Sequence, residues 1–186
     1  SKTQAQTPTI TTQQGYPIGQ SLNSIAYGNG TYIVGLNNST ALLGSLYSST
    51  DGTTWSKIVS PSIPTDMYFS GGGAYGNGVF VFAGNAGKII TSSDNGATWI
   101  SQTSGTTYNL INIKFLNGAF YAVGKTGSFS NMENVVLSST DGITWTKVLE
   151  VLNSNVSFSN IAYGGGAYVV AYGFEGAYGI SIYRST

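Results

Sequence analysis

The stretch IAYGNGTYIV, residues 25–34, places an Asn-Gly pair between two short apolar runs. Such a pair is the strongest short-range sign of a β-hairpin, because a type I′ turn needs positive φ at both central residues. The same pattern returns at 73–82, 113–122 and 161–170. Its turn glycines, Gly30, Gly78, Gly118 and Gly166, are separated by 48, 40 and 48 residues. The chain therefore contains four repeated hairpin units.

Three of the units continue into a second hairpin, at 46–55, 89–99 and 136–145. Two hairpins in a unit of this length correspond to one four-stranded blade of a β-propeller. We therefore expect an all-β fold: one four-bladed β-propeller domain over residues 1–186, with four-stranded antiparallel blades. The expected blade bounds are about 24–60, 72–104, 110–150, and 160–186 together with 6–13.

The fourth unit ends before its second hairpin is complete, so its outermost strand must come from elsewhere. In the complete units the tryptophan that closes the second hairpin precedes the next unit's inner strand by 15 to 19 residues (Trp55 to Ala74, for example). Counting back the same distances from Ala26 leads to residues 7–11, a Thr-rich stretch with the β-branched residues typical of a strand. We expect this N-terminal strand to complete the last blade and close the ring. A fragment of a larger propeller, or an open array, is the alternative.

The second hairpin resembles the Asp-box, or bacterial neuraminidase repeat, whose pattern is Ser-x-Asp-x-Gly-x-Thr-Trp. Residues 92–99, SSDNGATW, match it in full, and 49–55 and 139–145 are one residue shorter. The resemblance implies a β-propeller but no particular activity, since such boxes also occur in sortilin-type receptors, photosystem assembly factors and viral or bacterial surface proteins. We assign its residues a structural role, in which the Asp and Ser side chains hold the turn and the Trp packs beneath it. They are Asp51, Trp55, Asp94, Trp99, Asp141 and Trp145.

Composition excludes several kinds of chemistry. The chain has no Cys and no His, which removes thiol nucleophiles, imidazole bases and the commonest zinc ligands, so we expect no metal and no cofactor. Charged residues make up 8% of the sequence and the net charge is zero, which argues against a nucleic-acid partner. Arg184 is the only arginine, so the arginine cluster that a sialidase needs cannot form. No apolar run is long enough to insert into a membrane.

Paired-carboxylate glycoside hydrolysis is the one enzymatic class that this composition leaves open. Four acidic residues outside the boxes fall on connections that should share one face of a propeller: Asp66, Glu133, Glu150 and Glu175. Such a grouping fits either a catalytic pair or charges that simply lie in solvent.

The connections on that face differ from one repeat to the next, whereas the Asn-Gly and box turns on the opposite face are nearly constant. Variation gathered on one face of a repeat protein commonly marks its binding surface. We expect ligand contacts from its aromatic, amide and acidic residues: Tyr16, Asn38, Asp66, Tyr68, Phe69, Tyr108, Phe129, Phe174, Glu175 and Tyr178. Asn37, Asn109 and Phe158 belong to the same loops. Some of these aromatic rings are expected to plug the spaces between blades instead.

A different set of aromatic residues recurs in step with the repeat and should pack between blades: Tyr27, Tyr75, Phe115 and Tyr163. Lys114 replaces the alanine of the other units on the inner strand. Its side chain could enter a central channel or reach the rim.

Aromatic residues interleaved with amides suit the stacking and hydrogen bonding of a neutral sugar. The sequence therefore favours a non-enzymatic module that binds a glycan or a protein receptor, outside the cell or on a virion surface. The alternative is a structural, assembly or decoration subunit of a fibre or homo-oligomer. A carboxylate-dependent glycoside hydrolase is the reading that the sequence favours least.

Overall fold

The computed structural model describes residues 20–38, 43–128, 131–174 and 177–185. These residues form fifteen β-strands and one short 3-10 helix, Asn85–Gly87, arranged as four antiparallel sheets in which consecutive strands pair. The strand expected at 7–11 lies outside the described residues.

The first two sheets have four strands each. Sheet 1 consists of β1 Gln20–Gly28, β2 Thr31–Asn38, β3 Leu43–Ser49 and β4 Ser56–Lys57. Sheet 2 consists of β5 Gly73–Gly76, β6 Val79–Ala83, β7 Ile89–Ser92 and β8 Ile100–Gln102.

The third sheet also has four strands, and the fourth has three among the described residues. Sheet 3 consists of β9 Asn109–Leu116, β10 Ala119–Ser128, β11 Asn131–Ser139 and β12 Thr146–Ser154. Sheet 4 consists of β13 Val156–Gly164, β14 Ala167–Phe174 and β15 Ala177–Ser185.

The first hairpin of every sheet turns through two residues of positive φ, as the Asn-Gly pattern predicts. Asn29 and Gly30 have φ of 46° and 76°, and Gly165 and Gly166 have 57° and 76°. The register puts Tyr32 of β2 opposite Ser49 of β3, so the Asn-Gly turn and the box turn of sheet 1 lie at the same end, which we call the turn end. The strand pairings of sheets 2 and 3 place their Asn-Gly and box turns in the same way. The linkers between sheets and the loops within them lie at the other end, the loop end.

Among the described residues, the hydrophobic core forms three layers, each between consecutive sheets. Phe69, Phe82 and Trp99 lie between sheets 1 and 2. Val81 and Phe120 belong to the layer between sheets 2 and 3. The third layer joins sheets 3 and 4 through residues such as Val123, Phe158 and Ile161. These layers between sheets are where the hydrophobic stabilisation arises.

The box turns are held by their own aspartate and serine side chains. Asp141 Oδ1 accepts hydrogen bonds from the backbone N–H groups of Ile143 and Thr144, both at 2.8 Å, and Ser139 Oγ accepts one from Gly142 N–H. The indole N–H of Trp145 donates to Gly142 O at 2.9 Å. In the second box turn, Trp99 is 1% exposed and donates to its own turn in the same way. These contacts give the aspartates a structural task.

Hydrogen bonding lowers the pKa of the box aspartates. The Thr98 hydroxyl, then its backbone N–H, lowers the pKa of Asp94 to about 2. The Thr144 and Ile143 backbone N–H groups lower that of Asp141 to about 2. For Asp51 the N–H groups of Thr54 and Thr53 act in the same direction.

Because these pKa values are lowered on folding, the carboxylates stabilise the fold above their unfolded pKa of about 4, and that stability is lost as the pH falls through about 2. We expect the thermal midpoint, followed by circular dichroism, to drop by on the order of 5 °C between about pH 5 and about pH 2. The D94N/D141N double variant should show a smaller drop. A wild-type midpoint unchanged over this range would contradict the structural role of the box aspartates.

Candidate ligand-binding grooves

Three connections at the loop end of sheet 2 are joined to each other by asparagine side chains. Asn85 Oδ1 accepts a hydrogen bond from Tyr68 N–H at 2.7 Å, and its Nδ2 donates to Asp66 O at 3.2 Å. Asn109 Oδ1 accepts one from Ala86 N–H at 3.0 Å. The linker before sheet 2, the loop within it and the linker after it therefore hold one another in place.

One groove, which we call the Tyr68 groove, lies beside these connections and has a volume of about 410 Å³. Its lining is Tyr68, Ser70, Asn85, Asn109, Ile111, Lys125, Thr126, Gly127 and Met132. Tyr68 is partly exposed and Asn109 is exposed. Lys125 Nζ donates a hydrogen bond to Ser157 Oγ at 2.7 Å. The groove thus offers an aromatic ring, an amide and hydroxyl groups around one ammonium group.

A second groove, the Tyr108 groove, lies on the other side of the linker and has a volume of about 520 Å³. Its lining is Ala86, Gly87, Lys88, Lys147 and residues 102–108. Gly87 has a φ of 71°, and an added Cβ would lie 1.9 Å from Thr106 O, so only glycine fits this close approach. Tyr108 lines this groove and Asn109 lines the Tyr68 groove, so the 108–109 segment forms a ridge between the two.

Tyr108 is held as a hydrogen-bond donor. Its hydroxyl donates to Glu133 Oε2 at 2.6 Å. This hydrogen bond, together with burial and the charges of Glu133 and Glu150, raises the pKa of Tyr108 to about 12. The phenol therefore stays protonated at neutral pH, which suits a fixed recognition group rather than a nucleophile.

Most of the charges around the grooves are paired. Lys88 Nζ lies 2.8 Å from Asp66 Oδ2, and its hydrogen bond lowers the pKa of Asp66. Lys147 pairs with Glu150, three residues along β12. Glu133 receives the Tyr108 hydroxyl. Among the described residues, no group of three or more His, Cys, Asp or Glu side chains could hold a metal ion.

One sequence prediction about the site is wrong. Phe69 is 0% exposed and meets Phe82 edge-on, with ring centroids 6.0 Å apart, so it cannot contact a ligand. The sequence analysis placed it in a variable loop, but the linker folds back and buries its ring between sheets 1 and 2. Burying a phenylalanine side chain stabilises the fold by about 1.5–3 kcal/mol relative to leaving it exposed in a loop, which favours the buried position. Phe158, from the same loops, is also 0% exposed.

Asn37 is likewise a structural residue. Its Nδ2 donates to Phe69 O at 3.1 Å, and its Oδ1 accepts from Phe69 N–H at 2.8 Å. Asn134 holds Phe158 in the same way, accepting from its N–H at 2.8 Å and donating to Val156 O at 3.0 Å. Both asparagines are 0% exposed. Asn37 therefore ties the linker at Phe69 to sheet 1, and Asn134 ties the beginning of β13 to sheet 3.

The other predicted site residues fall in different places. Asp66 lies next to the grooves in its pair with Lys88, and Asn38 is the last residue of β2. Phe174 ends β14 and Tyr178 lies on β15. Tyr16, Phe129 and Glu175 lie outside the described residues. Lys114 is partly buried on β9, opposite Tyr121 of β10.

Sequence reasoning missed Asn85 and Lys125 as groove residues. The position of Asn85 in a loop of the variable face could have indicated that it lies near a site. Its role in joining the loops depends on Tyr68 and Asp66, which are distant in sequence. Lys125 ends near sheet 4 through a contact with Ser157, and no local pattern marks such a pairing.

We expect Asn37→Ala to lower the free energy of unfolding by about 2–4 kcal/mol, because a buried N–H and a buried C=O lose their partners. Asn134→Ala should cost a similar amount, and exposed Asn131→Ala should cost less than about 0.5 kcal/mol. Urea denaturation measures all three. A loss below about 1 kcal/mol for both buried asparagines would show that the linkers do not depend on them.

Comparison with known proteins identifies the fold. No family model and no curated protein sequence matches this chain. YCF48 from Cyanidioschyzon merolae superimposes with a TM-score of 0.62 and 14% identity, over 94% of this chain and 60% of that one. The phage phi92 endosialidase superimposes with a TM-score of 0.53 and 14% identity, over 83% of this chain and 30% of that one. The Bombyx mori GH32 β-fructofuranosidase BmSUC1 superimposes with a TM-score of 0.53 and 15% identity, over 81% of this chain and 40% of that one.

These neighbours are β-propeller proteins, so the four antiparallel sheets have a propeller-type arrangement. The chain spans less than half the length of the β-fructofuranosidase. At these identities the likeness is one of fold. The described residues include no helix of the length and apolarity needed to cross a membrane.

Proposed function

We propose that this protein is a non-enzymatic recognition module that binds a glycan through the Tyr68 and Tyr108 grooves. The observation that carries the proposal is that two hollows adjoin at one ridge, each with a partly exposed tyrosine. Their volumes of about 410 and 520 Å³ fall in the usual range for small-ligand sites, about 300–1,000 Å³.

The chemistry of the lining supports a sugar as the ligand. Tyr68 and Tyr108 provide flat apolar surface and hydroxyl groups, and Asn109 provides an amide. Lys88 and Lys147 are neutralised by carboxylates at the edge of the Tyr108 groove, so attraction of an ionic ligand is weak there. The names of two structural neighbours, an endosialidase and a β-fructofuranosidase, are those of glycan-acting proteins.

The proposal is non-catalytic because the candidate carboxylates already have partners. Glu133 accepts from Tyr108, and Glu150 is paired with Lys147. Glycoside hydrolysis by these two residues, on the adjacent strands β11 and β12, is the alternative. It predicts release of sugar from a bound oligosaccharide, and its loss in Glu133→Gln.

The setting of this activity is part of the proposal. We infer that the module works outside the cell or on a virion surface, where its partner is a glycan or a glycosylated receptor.

The box turns support membership of the Asp-box family, since their aspartates hold the turns as that family's pattern implies. We also propose that residues 7–11 form the fourth strand of sheet 4 and that the ring is closed. A structural or decoration role would leave the grooves without a ligand.

Binding to an array of neutral and acidic oligosaccharides tests the function. We expect the wild-type protein to bind a subset of the neutral glycans, with an affinity that changes less than about twofold between low and high salt. Tyr68→Ala should weaken binding at least about tenfold, equivalent to about 1.4 kcal/mol, with an unchanged thermal midpoint.

The matched control is Ile143→Ala, which removes an exposed apolar side chain at the turn end and should leave binding unchanged. Failure of the wild-type protein to bind any glycan would contradict the proposal and favour the structural role. Binding that survives Tyr68→Ala and Tyr108→Ala together would place the ligand elsewhere.

A further inference from the structure

One contact recurs where consecutive sheets meet: an aromatic ring of one sheet lies directly on a glycine of the sheet before it. An added Cβ on Gly28 of sheet 1 would lie 2.0 Å from the ring of Tyr75 in sheet 2. On Gly76 of sheet 2 it would lie 2.2 Å from the ring of Phe115 in sheet 3. Both glycines precede an Asn-Gly turn, and both rings occupy the same position in their repeats.

The boundary between sheets 3 and 4 has a different contact, because sheet 3 has no glycine at the equivalent position. Leu116 stands where the other sheets have the glycine, and it packs against the core layer between sheets 3 and 4. The rings of Tyr121 and Tyr168 meet across this boundary instead, with centroids 4.6 Å apart. Asn117 Nδ2 also donates to the Tyr168 hydroxyl at 3.2 Å.

The two halves of one more such contact are present but separated. Tyr27, at the ring position of sheet 1, is 57% exposed, and Leu22 and Ile25 on the same strand are 53% and 54% exposed. Gly164, at the glycine position of sheet 4, is exposed, and no described atom lies within 4 Å of the place where its Cβ would be. Sheet 1 thus has an exposed ring at Tyr27, and sheet 4 has an exposed glycine at Gly164, where such a ring could pack.

We propose that Tyr27 packs on Gly164 of the same chain and so forms the boundary between sheets 4 and 1. This inference rests on the proposed closed ring and names the contact that closes it. The repeat supports it, because the same two residue types already make the Gly28–Tyr75 and Gly76–Phe115 contacts. Covering Tyr27, Ile25 and Leu22 also removes apolar surface from water.

The same chain is the partner, rather than a second copy, for two reasons. Sheets 1 and 4 are the two ends of one row of sheets in which each described sheet packs against the next, so the chain itself tethers the two ends. A tethered contact has an effective concentration on the order of millimolar, well above that of a separate copy in dilute solution.

The proposed boundary between sheets 4 and 1 lacks a turn contact that the other boundaries have. Asn29 Nδ2 donates to Asn95 Oδ1 at 3.0 Å, and Asn77 Nδ2 donates to Thr140 O at 3.0 Å, so each of these turns is bonded to the next sheet. Gly165 occupies the equivalent position in sheet 4 and has no side chain to donate. The proposed boundary therefore depends on the Tyr27–Gly164 contact and on the burial of Leu22 and Ile25.

Disulfide trapping tests the proposal cleanly, because the chain has no native cysteine. We expect the Tyr27→Cys/Gly164→Cys variant, under mild oxidation, to form a cross-link within the monomer, seen by non-reducing electrophoresis and by the loss of two hydrogens in the intact mass. Gly28→Cys/Tyr75→Cys is the matched positive control, because that pair is in contact. Ile143→Cys/Gly164→Cys is the negative control.

Two outcomes would overturn the proposal: dimers or longer species joined through 27 and 164, which would show head-to-tail association of copies, or no cross-link while the positive control forms one. Should the cysteine variants fail to fold, Gly164→Ala replaces them. If the boundary is closed, Gly164→Ala lowers the thermal midpoint of the wild-type protein, but it causes no further loss in a protein that already carries Tyr27→Ala. An unchanged midpoint for Gly164→Ala in the wild-type protein would overturn the proposal. Each readout is independent of glycan binding.

Discussion

The aromatic ring that lies on a glycine Cα is the contact on which the arrangement of the sheets depends. Because glycine has no side chain, the Tyr75 ring approaches the backbone of β1 at Gly28, and Phe115 approaches β5 at Gly76. Each ring also packs against a ring of its own sheet: the centroids of Tyr75 and Phe80 lie 4.6 Å apart in a tilted pair, and those of Phe115 and Phe120 lie 4.8 Å apart edge-on. The contact therefore sets the spacing between sheets 1 and 2 and between sheets 2 and 3 at the turn end.

A constant turn end allows the loop end to vary. The box turns satisfy their own polar groups, and Asn29 and Asn77 bond their turns to the next sheet. The linkers and loops at the opposite end can therefore change in length without disturbing the turn end. Buried asparagines then fix where the chain enters the next sheet: Asn37 holds Phe69 in the linker before sheet 2, and Asn134 holds Phe158 near the beginning of β13. The grooves arise between connections that are fixed in this way, and so their shape is largely set before a ligand arrives.

The sequence predicted those features that local rules determine. The positive φ at Asn29 and Gly30, the two hairpins of the complete repeats and the self-contained box turns follow from residue types a few positions apart. The grooves depend on residues brought together from distant segments. Phe69 shows the limit, because an aromatic residue in a variable linker can face a ligand or plug the core, and its neighbours in sequence do not decide which.

The free energy of unfolding of Gly76→Ala tests the central contact most directly. Gly173→Ala is the matched control, because Gly173 is exposed and an added Cβ there meets no described atom within 4 Å. The ring-on-glycine account predicts a loss of about 1–3 kcal/mol for Gly76→Ala, the usual cost of overpacking, and a change within about 0.5 kcal/mol for the control. Equal stability of Gly76→Ala and the wild-type protein would contradict the account.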